Sequence, residues 1–245
     1  MSAQLLAKQV AIVTGGGRGF GRAIAETLAA FGASVVIASR NAPELDDVAN
    51  AIKKQGGKAL AQTADVADDR QVQELVLAAE RWIGPPSILV NNAGVLDPVG
   101  PLAETSGASW LRNIAINVGG TYLVTRAVLP GMLDRDHGRI INISSGAADR
   151  ASAGWSAFCA AKAAVDQLTR VLALEMEGSG VTVCAFHPWR LDTEKEERIG
   201  EGGTKDPHDP ARVVAYLCLP DTQRNGAILA VDDPDIAREA DAALA

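Results

Sequence analysis

The sequence predicts an α/β fold: one doubly wound parallel sheet with helices on both faces. Three observations carry that prediction. Short β-branched runs alternate with longer stretches of helical periodicity. The short runs are continuously apolar, as strands covered on both faces are. And the chain, 245 residues at 47% hydrophobic and 22% charged, has the length and composition of a globular protein with a sizeable core. Strand–helix–strand repetition with right-handed crossovers then gives the doubly wound arrangement.

Val10-Ala11-Ile12-Val13 reads as the first strand and Ser34–Ala38 as the second. Ile88–Val90, Ile140–Ile143, Val181–Ala185 and Ala227–Val231 follow. Helical periodicity marks Ala23–Ala30, Val72–Ile83, Val118–Met132 and Ala160–Glu177. No repeat, low-complexity tract or Pro/Ser linker divides the chain. Residues 1–245 therefore read as one domain, with a cofactor-binding half over about 7–140, a catalytic and substrate half over about 141–232, and a tail over 233–245. The Ala-rich tail suits a helix or a frayed end equally. The polar stretch Thr193–Asp209 reads as a solvated face, with a lid over a substrate pocket as the alternative.

A net charge of −7 repels nucleic acid and argues against it as a partner. No apolar run reaches the roughly 18 residues of a membrane helix. The start Met1-Ser2-Ala3-Gln4 lacks the basic-then-apolar layout of a signal peptide, so a cytoplasmic protein is expected. The three cysteines form no Cys-x-x-Cys pair and the three histidines show no ligand spacing, so neither a disulfide framework nor a metal is expected.

Chemistry enters after the first strand. Thr14-Gly15-Gly16-Gly17-Arg18-Gly19-Phe20-Gly21 lies between that strand and a helix. Such a turn brings backbone up to a pyrophosphate, whose charge then meets the helix N-terminus. The spacing is Gly15-x3-Gly19-x-Gly21, not G-x-G-x-x-G. At the end of the second strand an acid would bond the 2′-hydroxyl of NAD. Here stand Ser39 and Arg40, with no carboxylate until Glu44, and Arg18 lies inside the glycine turn. Two guanidiniums suit a 2′-phosphate, so NADP(H) is expected over NAD(H).

From about residue 7 to residue 232 the chain resembles the short-chain dehydrogenase/reductase family. Thr14–Gly21 matches its TGxxxGxG turn, Asp65-Val66 the acidic dipeptide at the adenine, and Asn91-Asn92-Ala93-Gly94 its NNAG element. Asn117, Ser145 and Lys162 match the asparagine, serine and lysine of its catalytic tetrad, and Asp192-Thr193 the loop at the nicotinamide carboxamide. Gly154-Trp155-Ser156 and Val95–Leu102 look most similar to the sepiapterin/benzil reductase subgroup. The resemblance implies hydride transfer between a nicotinamide and a small carbonyl or alcohol substrate. It implies cofactor contacts from Gly15, Gly17, Arg18, Gly19, Phe20, Gly21, Ser39, Arg40, Asp65, Val66, Asn92, Ala93, Gly94, Lys162, Pro188 and Thr193. It also implies a homodimer or homotetramer, paired through the helices of Asn117 and Lys162, where Leu123, Leu129, Leu168 and Leu172 serve that contact or the core.

The tyrosine of that tetrad falls, by spacing, on Phe158 in Phe158-Cys159-Ala160-Ala161-Lys162. A phenyl ring has no proton to give. Neither Tyr122 nor Tyr216 is placed to replace it. Cys159 points about 100° away around the helix. Two further departures flank the same site. His187-Pro188-Trp189-Arg190 stands where the family has Pro-Gly, and Asp232-Asp233-Pro234 where it has Asp-Gly-Gly. Trp189 either meets the nicotinamide or packs outward near Leu191. Non-redox relatives keep the tyrosine and spoil the glycine turn, the reverse of this pattern, so a lyase or dehalogenase is disfavoured. Two functions remain: an NADPH-dependent reductase with an altered proton path, or a catalytically silent NADP(H)-binding protein.

Overall fold

The structure is a computed structural model and describes residues 4–188, 206 and 208–245. The strands are β1 (Val10–Thr14), β2 (Ser34–Ser39), β3 (Lys58–Thr63), β4 (Ile88–Asn91), β5 (Gly138–Ile143), β6 (Val181–His187) and β7 (Ile228–Ala230). The helices are α1 (Gly19–Ala30), α2 (Ala42–Lys54), α3 (Asp69–Trp82), α4 (Gly107–Ile114), α5 (Gly120–Asp134), α6 (Ser156–Glu175), α7 (His208–Leu217) and α8 (Pro234–Ala243). The strands form one sheet in the order β3-β2-β1-β4-β5-β6-β7, every pairing parallel. The order reverses at β1, between β2 and β4. In open sheets of this kind, ligands bind beyond the carboxyl ends of the strands at that point.

Successive strand residues feed opposite cores, as the two-residue period requires. Ala11 and Val13 pack with Ile24, Leu28, Leu45 and Val214 on the side of α1, α2, α7 and α8. Ile12 packs with Leu75, Val124, Met132 and Leu172 on the side of α3, α5 and α6. Both faces are thus covered, which is why the strands read as unbroken apolar runs.

The predicted fold class and all six predicted strands are present. The sequence reading passed over β3, α2 and α4. Lys58-Ala-Leu-Ala-Gln-Thr buries only Ala59 fully at the sheet edge, so it carries little apolar signal. The predicted helix Val118–Met132 is two structures: a wide π turn over Ala115–Gly119, then α5. The tail is helical. Asp233 caps α8 by accepting from Asp235 N (3.0 Å), and Ile236, Ala240 and Leu244 are buried in the core. Glu239 fastens it further, accepting from Tyr216 Oη (2.8 Å) and pairing with Arg224. No helix among the described residues is long and apolar enough to cross a membrane.

Candidate active site

The glycine turn closes β1 onto α1. Gly15 and Gly19 adopt φ of +64° and +52°, where a side chain would be strained. A Cβ on Gly21 would lie 2.1 Å from Gly15 O, so only glycine allows that approach. α1 starts at Arg18 with no side-chain cap and no acid in its first turn. Its first N–H groups are therefore left to an anion. The residues after β4 hold the turn. Thr14 Oγ1 accepts from Asn92 N (3.0 Å) and Ala93 N (3.1 Å), and Asn92 Nδ2 donates to Thr14 O (3.0 Å) and Gly15 O (3.2 Å). Phe20 is buried beneath. This cradle fits a dinucleotide's pyrophosphate.

Arg18 and Arg40 are exposed at the two sides of the turn. Sequence order hid a third charge. α2 brings Glu44 back so that its Oε2 lies 3.3 Å from the position of a Cβ on Gly17, as does Ser39 Oγ. A carboxylate thus stands at Gly17, the residue before Arg18. Asp65 is already engaged: Oδ1 accepts from Ala67 N (3.0 Å) and Oδ2 pairs with Arg112 (3.3 Å). Val66 is buried against Gly120, where a Cβ would lie 2.6 Å from Val66 Cγ2.

Asn117 lies in the π turn, a feature frequent at functional sites. Its Nδ2 donates to Val95 O (2.9 Å) and to Asn113 Oδ1 (2.9 Å). Its Oδ1 is buried without a partner among the described residues. A Cβ on Gly94 would lie 2.5 Å from that oxygen and 3.8 Å from Lys162 Nζ. The asparagine oxygen and the ammonium therefore face one point beside Gly94. Asn113, which the sequence reading missed, is fully buried and ties the segment after β4 through Val95 O, Leu96 O and Asp97 O.

Phe158 and Lys162 share the inner face of α6, both buried. Lys162 Nζ donates to Ile143 O (2.8 Å) and stands 5.6 Å from the Phe158 ring centroid, a cation–π distance. Trp155 meets the same ring edge-on, centroids 5.9 Å apart. Ser145 opens the connection from β5 to α6, its Oγ accepting from Ala147 N (3.2 Å). It caps a short 3-10 turn, which fixes its hydroxyl at the end of β5. Cys159 faces elsewhere, with Sγ 3.7 Å from Arg150 O. Burial pushes the Cys184 thiol up to about 12 and raises Cys218 as well, so neither offers a thiolate. Tyr122 is half exposed on α5, and Tyr216 is bound to Glu239. Pro188 is buried just past β6, whereas Thr193 and Trp189 lie outside the described residues.

One further cluster lies where α6 meets β6. Asp166 and His187 are buried and joined, Oδ2 to Nε2, at 3.0 Å, with Asp149 close by. His187 was visible in sequence only as part of an unusual loop. Asp166 gave no signal, because its partner is 21 residues away.

A family profile described as short chain dehydrogenase matches residues 9–203. A short-chain type dehydrogenase/reductase of Picea abies is 38% identical over 233 residues, 86% of each chain. A cis-4-hydroxycyclohexanecarboxylate dehydrogenase of Sinomonas cyclohexanicum is 36% identical over 242 residues, 94% of this chain and 97% of that one. A crystal structure of a gluconate 5-dehydrogenase from Burkholderia cenocepacia J2315 in complex with NADP and tartrate superposes with a TM-score of 0.88 at 28% identity, over 94% of this chain and 96% of that one. Across the curated relatives the matched stretch spans 60% to 97% of their own length.

Proposed function

We propose that this chain, which belongs to the short chain dehydrogenase family, is an NADP(H)-dependent oxidoreductase acting on a small carbonyl or alcohol, with solvent at Lys162 replacing the tyrosine acid. The observation that carries this reading is the pair beside Gly94: the orphan Asn117 Oδ1 and the Lys162 ammonium facing one point. A water there would accept from Lys162 and donate to Asn117, an arrangement that holds a proton near the substrate. The bound cofactor supplies the hydride. Ser145 polarises the carbonyl from the end of β5. Gly15 to Gly21 cradle the pyrophosphate, and Asp65 and Val66 wall the adenine. Arg18 and Arg40 hold the 2′-phosphate against Glu44. That the Burkholderia relative was solved with NADP supports this cofactor. The resemblance to sepiapterin/benzil reductases makes dicarbonyls the first substrates to try. Exposed Tyr122, Leu133, Val171 and Leu174 on α5 and α6 support pairing of two copies there.

A second reading has its own observation. Phe158 is 4% exposed and packed by Trp155 and Lys162, a finished apolar contact where an acid is needed. A silent NADP(H)-binding protein would look the same. NADPH oxidation on a ketone and dicarbonyl panel separates them, comparing the native chain with Phe158→Tyr and Lys162→Met. Slow native turnover, raised by Phe158→Tyr and abolished by Lys162→Met, is expected. Turnover by Phe158→Tyr alone, with the native chain at the blank rate, would establish the silent reading.

A further inference from the structure

The cluster at the junction of α6 and β6 plays no part in the chemistry above. Its ligand-type atoms, a carboxylate oxygen each from Asp149 and Asp166 and an imidazole nitrogen of His187, lie within 4.8 Å of one another. Asp166 is 2% exposed. Its Oδ2 meets His187 Nε2, and its Oδ1 is buried with no partner among the described residues. A carboxylate withdrawn from water with one oxygen unpaired is costly unless a cation answers it.

We propose that Asp149, Asp166 and His187 form a site for a divalent transition-metal ion of the zinc class. The spacing fits. Ligands about 2.0–2.2 Å from one tetrahedral ion lie roughly 3.3–3.6 Å from each other. The 3.0 Å between Asp166 Oδ2 and His187 Nε2 opens to such an edge by a few tenths of an ångström when an ion replaces the shared proton. Asp149 is exposed on the turn after β5, so its carboxylate closes the remaining gap by a side-chain rotation of about an ångström. Ion entry is from that exposed side. The ion takes the place of the proton on Nε2, which passes to Nδ1 or to solvent. One imidazole with two carboxylates selects zinc over magnesium, which prefers an all-oxygen shell. Three protein ligands leave a fourth position open, as in sites that bind a water or a substrate atom.

The test is titration of the chelator-dialysed full chain with ZnCl2 by calorimetry, and with MgCl2 as the contrast. One zinc per chain is expected, with no competing magnesium. Asp149→Asn and His187→Gln should each weaken zinc at least about tenfold, the loss already usual for an outer partner of a ligand. Asp149 is exposed, so its variant is expected to fold, and unchanged NADPH binding checks that it has. Two results would overturn the proposal: no stoichiometric zinc on the native chain, or zinc binding equal in native and Asp149→Asn chains. The first would leave Asp166 and His187 as a plain hydrogen-bonded pair; the second would place the zinc elsewhere.

Discussion

At the β1–α1 turn, the side chains of Thr14 and Asn92 make four hydrogen bonds to the backbone of Thr14, Gly15, Asn92 and Ala93 before any ligand arrives. The other half of the site is built differently. Among the described residues the buried side-chain oxygens without a partner are Asn91 Oδ1, Asn117 Oδ1 and Asp166 Oδ1, all on the side of α5 and α6. The difference teaches what each region needs from outside. The turn is braced by the chain's own groups, and only the first N–H groups of α1 are left open. The α6 side keeps buried oxygens that no described residue answers. Buried polar atoms in that state are where function concentrates.

The largest way to break the comparison is to finish the α6 side. Phe158→Tyr should raise the turnover number about 10²–10⁴-fold, the usual worth of a general acid; an unchanged rate would mean that the acid is not what the site lacks. Next is to spoil the turn. Gly21→Ala forces Cβ into Gly15 O, and an overpacking cost of about 3 kcal/mol would weaken NADPH about 100-fold, read by fluorescence titration. Asn92→Ala removes two side-chain bonds, about 2 kcal/mol, and should lower the melting temperature by about 4–8 °C. Glu44→Gln removes the carboxylate at Gly17. It should raise the NADPH-to-NADH affinity ratio about fivefold, roughly 1 kcal/mol for one surface charge; no change would mean that Glu44 does not face the 2′ group.

The smallest effect lies far from the site. Burial, with Arg139 and Arg135 nearby, holds the His137 pKa below its ordinary value. The unfolded chain then binds a proton that the native chain refuses, between the lowered value and about 6.5. Stability should therefore fall as pH drops through that window and level off below it. Urea midpoints across acid pH check this, and His137→Gln should flatten the slope.

The sheet was legible because its strands are buried on both faces and read as apolar runs. The glycine turn was legible because its residues are contiguous. β3 was not, since an edge strand with half its side chains in water has no such signature. Glu44 was visible as a residue but not as a neighbour of Gly17, for α2 had first to fold it back. Asp149, Asp166 and His187 were hidden for the same reason: they lie on three elements, and spacing along the chain says nothing of their meeting. The reading of Val118–Met132 as one helix failed at the π turn, where periodicity slips by a residue just at Asn117. Ser145 was picked out by its place after β5, and the structure gives that hydroxyl a capping bond as well.

The Trp155–Phe158 ring contact has an optical use. An indole 5.9 Å from the ring at the heart of the site will report on whatever occupies it. Reduced nicotinamide absorbs where tryptophan emits, so binding should appear as quenched indole emission with sensitised emission from the dinucleotide. Trp155→Phe would remove the contribution of that indole while leaving Trp82, Trp110 and Trp189 as the background, giving a binding assay that works even on a chain that turns nothing over.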